Sequence, residues 1–431
     1  MEKKIIQSSL TDCNTRFIKL ISNYGFIQKS LVLISLILNS ECIRLEPSVF
    51  DTSKSVIALV TQIGLTAGRM TRTCSIIGSG STKATRVYGQ AGSFTTGTAN
   101  NGGISADSLN APAVVTVDSG GNLYVAEASN NRVLFFPSGS TAATRVYGQN
   151  GNFSANTADN GGISANSLNL PQGLAVDSIG NLYITETSNS RILYYPSGST
   201  TATKVYGQNG SFSSNTANNG GISANSLNNP VAIALDAGGN LYAADSQNNR
   251  ILYYPSGSTT ATKVYGQPDF FSSTINNGGI SAASLNNPLG VAVDSVGNLY
   301  IGDMDNNRAL YYPSGNAAAT RVYGQPDFFS STGNNGGLSA DSLRKPARVA
   351  VDCAGNLFVT DQTNNRVLYY SSGSTTASRV YGQLGSFTAN AFNNGGISAD
   401  SLSFPAGAAI DSSGNMYLPD RGNNRVLYYG Q

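Results

Sequence analysis

The tripeptide Tyr-Gly-Gln begins at Tyr88, Tyr147, Tyr206, Tyr265, Tyr323 and Tyr381, at intervals of 59, 59, 59, 58 and 58 residues, with another copy at Tyr429. Six times, the stretch between copies carries Pro-x-x-φ-x-φ-Asp, then Gly-Asn-Leu-Tyr-φ-x-Asp/Glu, then Asn-Asn-Arg-φ-Leu-Tyr-Tyr, with φ apolar and small variations. A period this even constrains the fold more than any single motif. Each repeat has to be one supersecondary unit, and neighbouring units have to bury one another's apolar faces.

Each unit reads as four short strands. In the second copy they are 172–177, 181–186, 190–195 and 203–208. All four are rich in β-branched and aromatic residues and are bounded by Gly, Pro, Asn or Ser. Ser178-Ile179-Gly180 is short enough for a tight hairpin. The expected architecture is all-β: a six-bladed β-propeller of four-stranded antiparallel blades. Blade 6 supplies only 406–411, 415–420 and 424–429. The unpaired strand 84–90 is therefore expected to be its outer strand, which closes the ring and removes an exposed edge.

The Pro-x-Gly-φ-Ala-φ-Asp, Gly-Asn-φ-Tyr-φ-x-Asp and Asn-Asn-Arg-φ series resembles the NHL-repeat family over residues 83–431. That resemblance implies the same propeller. It does not choose a function, because the family holds enzymes, receptors and scaffolds.

Of the 36 charges in 83–431, 24 fall at four positions fixed by the repeat. The first set is Asp118, Asp177, Asp236, Asp294, Asp352 and Asp411. The second is Glu127, Glu186, Asp245, Asp303, Asp361 and Asp420. The third is Arg132, Arg191, Arg250, Arg308, Arg366 and Arg425. The fourth is Arg86, Arg145, Lys204, Lys263, Arg321 and Arg379. The second and third sets lie five residues apart across one hairpin, so each acid and arginine is expected to pair within its blade. A role present in every blade reads as structural rather than as a ring of metal ligands.

The long connectors, such as Asn150–Asn169, are too long for passive turns. They are expected on the same face as the Asn-Asn-Arg hairpins. Each keeps a leucine (Leu109, Leu168, Leu227, Leu285, Leu343, Leu402) and a phenylalanine: Phe94, Phe153, Phe212, Phe271, Phe329 and Phe387. Both are expected to pin the loop to the blade top. Exposed aromatic anchors for a partner are the sharper alternative.

Departures from the repeat mark where a single site is to be sought. Outside the fixed positions the body has five basic residues: Lys83, Arg344, Lys345, Arg348 and Arg421. Four of them belong to blades 5 and 6. Arg348 stands where other blades have Val114, Gly173, Ala232, Gly290 and Gly407. It is expected at the channel mouth, partly open to solvent. Arg344, Lys345, Arg348 and Arg421 are the candidate ligand site, and guanidinium groups there suit a carboxylate or phosphate. An acidic peptide or acidic glycan is the expected partner class.

Residues 1–82 hold 9 Lys/Arg and 5 Asp/Glu, and 83–431 hold 17 and 19, so the net +2 of the chain belongs to its leader. Bulk charge gives no reason to expect nucleic-acid binding. Lys29 precedes the apolar run Ser30–Leu38, too short to span a bilayer. The run suits the core of an export signal and is followed by Cys42. This resembles a bacterial lipoprotein signal with Cys42 as the lipidated residue, although Glu41 departs from the small residue expected there. The expected division is 1–42 signal, 43–82 linker or partly ordered segment, and 83–431 propeller. The protein is then exported to the cell envelope, as a lipoprotein or secreted, with any membrane contact made through lipid. Cys13, Cys42, Cys74 and Cys353 show no metal spacing or disulfide framework. Cys353 reads as an incidental thiol.

The chain has no histidine. That excludes a Ser-His-Asp triad, a Cys-His pair and His-ligated zinc. The reading reached is a non-enzymatic, monomeric binding module with no cofactor, presenting its long loops to a protein or glycan. Alternatives are a purely structural surface repeat protein, or a calcium-assisted lactonase or lyase-type propeller using oxygen ligands alone.

Overall fold

The computed structural model describes residues 81–430. They form six four-stranded antiparallel sheets, the blades of a propeller. Blade 1 runs, from the channel outward, through β2 (Pro112–Val117), β3 (Leu123–Glu127), β4 (Arg132–Phe136) and β5 (Arg145–Tyr147). Blades 2 to 5 repeat this order and start at Pro171, Pro230, Pro288 and Pro346. Blade 6 is closed as the strand count requires. Its outer strand is β1 (Arg86–Tyr88), with Arg86 opposite Tyr428, Val87 opposite Leu427 and Tyr88 opposite Val426. The export signal, Cys42 and the 43–82 segment lie outside the described residues.

The second strand of every blade is buried along its whole length, as in Leu182–Glu186. The core lies between blades. Tyr124 and Ala126 of blade 1 pack with Leu174, Ile184, Leu193 and Tyr195 of blade 2. Burial on both faces explains why these strands read as nearly continuous apolar runs rather than clean alternation.

The outer strands are shorter than expected. In blade 2 the expected 203–208 is Lys204–Tyr206, because the next two residues have other tasks. Tyr206 lies edge-on to Tyr254 of blade 3, centroids 5.3 Å apart at 81°. Gly207 has φ +93°, and a Cβ there would stand 2.8 Å from Leu227. Only glycine both tolerates that φ and admits the leucine. Gln208 is fully buried. Its amide donates to Asn189 O and Ser190 O at 3.0 Å and to Thr216 O at 3.0 Å, so it holds the hairpin to the connector. The Tyr-Gly-Gln signature therefore joins an inter-blade ring contact, a close backbone approach and a polar tie.

Cys353 is disulfide-bonded. This corrects its reading as an incidental thiol.

Candidate functional site on the connector face

The repeated charges are engaged within the fold, and the second and third sets are fully buried. Arg250 is fully buried and donates through Nε to Asp245 at 2.7 Å. Its other nitrogens reach Phe270 O at 2.6 Å, Ser223 O at 3.0 Å and Ser226 O at 3.1 Å. One guanidinium thus binds its blade to the connectors on both sides, and the arrangement recurs in all six blades. The carboxylate also accepts from Asn228 N and Asn248 Nδ2. Burial pushes the Asp245 carboxyl up, against the downward pull of Arg250 and these donors. Asp177 and its equivalents close the first hairpin, accepting from Asn181 N at 2.9 Å and Asn181 Nδ2 at 2.7 Å. The fourth set lies over aromatic rings, as Arg321 over Tyr311 at 4.6 Å.

The four candidate cations all stand on the connector face, in different settings. Arg344 is exposed, and its stem lies against Gly333. Lys345 is paired with Asp305 of the blade 4 hairpin at 2.6 Å. Arg421 is half-buried in the blade 6 hairpin, and no hydrogen bond or ion pair joins its side chain to any described residue. Burial pushes its guanidinium down.

Arg348 differs from expectation. It is at the channel mouth but buried, 7% exposed. Its guanidinium donates to Leu289 O of blade 4, to Gln172 O of blade 2 at 3.0 Å, to Val231 O of blade 3 at 3.3 Å and to Ala347 O at 3.4 Å. These carbonyls are equivalent. Each belongs to the residue after the leading proline, where the inner ladder of its blade shifts register. Such an extra residue leaves its groups unpaired, and the blades point them at the channel axis. Arg348 fills this carbonyl ring as a tethered cation and bars the mouth. Desolvation, then the neighbouring Arg421, pulls it down to about 9, while the carbonyl acceptors favour its charged form. Its Nε is buried without an acceptor.

Behind this bar the channel encloses about 320 Å³, walled by the inner strands from Val114–Val117 round to Gly407–Ile410. Arg348 is the one ionisable side chain on that wall. Among the described residues no group of three or more His, Cys, Asp or Glu could hold a metal ion.

The apolar surface is also uneven. The large apolar side chains exposed among the described residues include Phe271, Ile275, Phe329, Leu384, Phe392 and Phe404. All six lie on the connectors leading into blades 4, 5 and 6. Ile179 and Val296, the other two, occupy first-hairpin turns. Phe271 and Phe329 require a correction. The phenylalanine that accepts from the repeat arginine and packs on the core is Phe270 in one connector and Phe328 in the next. Phe271 and Phe329 are turned outward, 72% and 73% exposed. Both connectors read Gln-Pro-Asp-Phe-Phe and are one residue shorter than the others. The residue is lost before the first phenylalanine, so counting forward from the glutamine selects the wrong ring. Asp269 and Asp327 accept from the amides of the outward phenylalanine and the following serine, at 2.8–2.9 Å, and so fix the turn.

Sequence reasoning missed the exposed apolar set because it subtracted only charges from the repeat. The same subtraction applied to Phe392 (elsewhere Ala99, Ala158, Ala217, Ile275, Gly333) and Phe404 (elsewhere Ala111, Leu170, Asn229, Asn287, Lys345) would have found two of its members.

No protein-family model matches the chain, and no curated protein matches it. Three solved structures are similar to it in part. A virginiamycin B lyase from Staphylococcus aureus, with quinupristin, is 15% identical, with TM-score 0.42 over 74% of this chain and 80% of that one. A streptogramin B lyase is 16% identical, with TM-score 0.40 over 73% and 78%. A hydrazine synthase chain from Kuenenia stuttgartiensis is 12% identical, with TM-score 0.45 over 75% and 96%.

Proposed function

We propose that this is a binding module, an exported six-bladed propeller of NHL-repeat type that presents its connector face to a protein partner. One observation carries the reading. Exposed large apolar side chains gather on the connectors into blades 4 to 6, and four of the five cations left over by the repeat belong to blades 5 and 6, whereas the connectors into blades 1 to 3 expose no large apolar side chain. Exposed apolar residues that cluster rather than scatter mark interaction surfaces. The channel offers less to an enzymatic reading, since its single ionisable side chain is engaged with backbone carbonyls. Anchoring through Cys42 belongs to the same proposal and is tested by palmitate-analogue labelling, which Cys42→Ser should abolish.

The acidic preference expected from the cations needs narrowing. Asp269, Asp305, Asp327, Asp341 and Asp400 stand on the same half of the ring, so its field is mixed. Asp269 and Asp327 are used by their own loops, and Asp305 by Lys345. Of the four candidate cations, Arg344, Arg348 and Arg421 have no acidic partner among the described residues.

The test is a peptide array probed with the whole chain and with the triple variant Phe271→Ser, Phe329→Ser, Arg344→Asn. Peptides that bind the wild type should be lost by the variant at unchanged thermal stability. Equal binding by both would place the partner elsewhere. A purely structural role, favoured by the internal use of all four repeated charge sets, predicts no saturable binding by either.

A further inference from the structure

The rim of blade 6 departs from the repeat at three positions that lie together. Phe404 has φ +47°, a region that costs a bulky residue roughly 1 kcal/mol. Two sister blades use Asn229 and Asn287 there, and asparagine tolerates it better. Burial does not offset this cost, because Phe404 is 44% exposed. Its ring instead packs on Phe392, itself 58% exposed, with centroids 4.9 Å apart. The two make an apolar ledge in solvent. Next to it, Gly422 N donates to Ser403 O at 2.8 Å, which brings the hairpin residue after Arg421 against the residue before Phe404. Arg421 replaces the Ala128, Thr187, Ser246, Met304 and Gln362 of the other hairpins. Thr187, Ser246 and Gln362 reach across to the leading proline carbonyl of the next blade, at 3.0, 2.6 and 3.4 Å. Arg421 has no such bond and adds its repulsion to the buried Arg348. The adjacent acid, Asp420, is taken by Arg425.

Resting on the connector-face reading, we infer that this rim receives the carboxyl terminus of a partner polypeptide, with the terminal carboxylate on Arg421 and an apolar last side chain on the Phe392–Phe404 ledge. An anion here meets an open guanidinium fork, a geometry that favours carboxylate, and relieves two adjacent cations. Arg421 is half-buried beside the buried Arg348 and so is recessed below the exposed rim. A chain end can project into such a recess, whereas a continuous strand has to pass over it. Capture of a terminal carboxylate is an established mode of peptide recognition.

The probes are three peptides titrated against the whole chain by NMR: acetyl-Gly-Gly-Phe with a free carboxylate, its amide, and acetyl-Gly-Gly-Ser. The free-acid phenylalanine peptide should bind saturably, and amidation or the serine end should each weaken it about tenfold or more. Arg421→Gln and Phe404→Asn, each a residue that sister blades already use, should each weaken it by a similar factor. Phe404→Asn should keep or raise the thermal midpoint, which separates lost binding from lost folding. Ile179→Ser, in a first-hairpin turn away from the connectors, should leave tripeptide binding unchanged. Equal binding of acid and amide, or undiminished binding by Arg421→Gln, overturns the inference. So does the absence of saturable binding up to about 10 mM, or an acidic oligosaccharide binding through Phe404 where the peptides do not. Should array peptides depend on Phe271 and Phe329 but not on Arg421 and Phe404, the wider connector-face reading stands and this one fails.

Discussion

Some side chains in this fold recur from blade to blade and others occur once, and the two uses have different energetics. Tyr195, Tyr254, Tyr312, Tyr370 and Tyr429 are repeated, and each has a buried hydroxyl with no partner among the described residues. Blade 1 has Phe136 at that position, fully buried. The ring is therefore what the position requires, and the hydroxyl carries a desolvation cost of about 1 kcal/mol or more. Tyr254→Phe should be neutral or stabilising in urea unfolding; a loss above about 1 kcal/mol would show that the hydroxyl is satisfied. Arg348 is used once. Restoring the repeat with Arg348→Gly removes the cation and leaves the carbonyl ring, so stability should fall by roughly 1–3 kcal/mol. Guanidinium at about millimolar concentration, well below denaturing levels, should recover part of the thermal midpoint because it supplies the same planar donors. No recovery would mean that the ring does not select the guanidinium.

Among the elements, the connectors carry the variation while the strands hold constant. The two Gln-Pro-Asp-Phe-Phe connectors show how a one-residue deletion is absorbed. The buried role passes to Phe270 and Phe328, and the next ring is released to solvent. This assigns opposite consequences to adjacent residues. Phe270→Ala should cost roughly 2 kcal/mol through lost packing, and Phe271→Ser less than about 0.5 kcal/mol. Equal effects in thermal unfolding would return the two rings to equivalent roles. The outward ring is held by Asp269, whose carboxyl the Ser272 hydroxyl and the Phe271 amide hold below the usual range, so the turn is set independently of any partner.

At the scale of the molecule, the ring is stabilised by closure. Strand Arg86–Tyr88 completes blade 6, and Tyr88 contacts Phe136 of blade 1 edge-on at 5.4 Å. A chain starting at residue 91 would expose the ladder edge of Arg425–Tyr429 and uncover the blade 1 interface. It should unfold at a lower temperature and self-associate, as read by light scattering. An unchanged midpoint would show that the ring holds without this strand. Closure also gives Arg348 its partners, since carbonyls from blades 2, 3 and 4 meet at one point only when the sheets come round an axis.

Blade number, strand order and the closing strand were legible in the amino-acid sequence because they rest on local spacing and a count. A period of 58 or 59, turn residues at fixed offsets and strand-forming runs act within one repeat, and six copies average out local ambiguity. The pairing expected between Asp245 and Arg250 was legible for the same reason, since one hairpin places residues five apart opposite each other. What Arg348 does was not. Its acceptors lie 59, 117 and 176 residues away, and a position whose neighbours are glycine, alanine and valine gives no sign that it faces a ring of carbonyls. The exposed phenylalanines were hidden differently. Phe270 and Phe271 are the same residue type one place apart, and only packing against the neighbouring blade decides which is buried. Sequence sets such choices up; the closed ring, by fixing which groups lose water together, makes them.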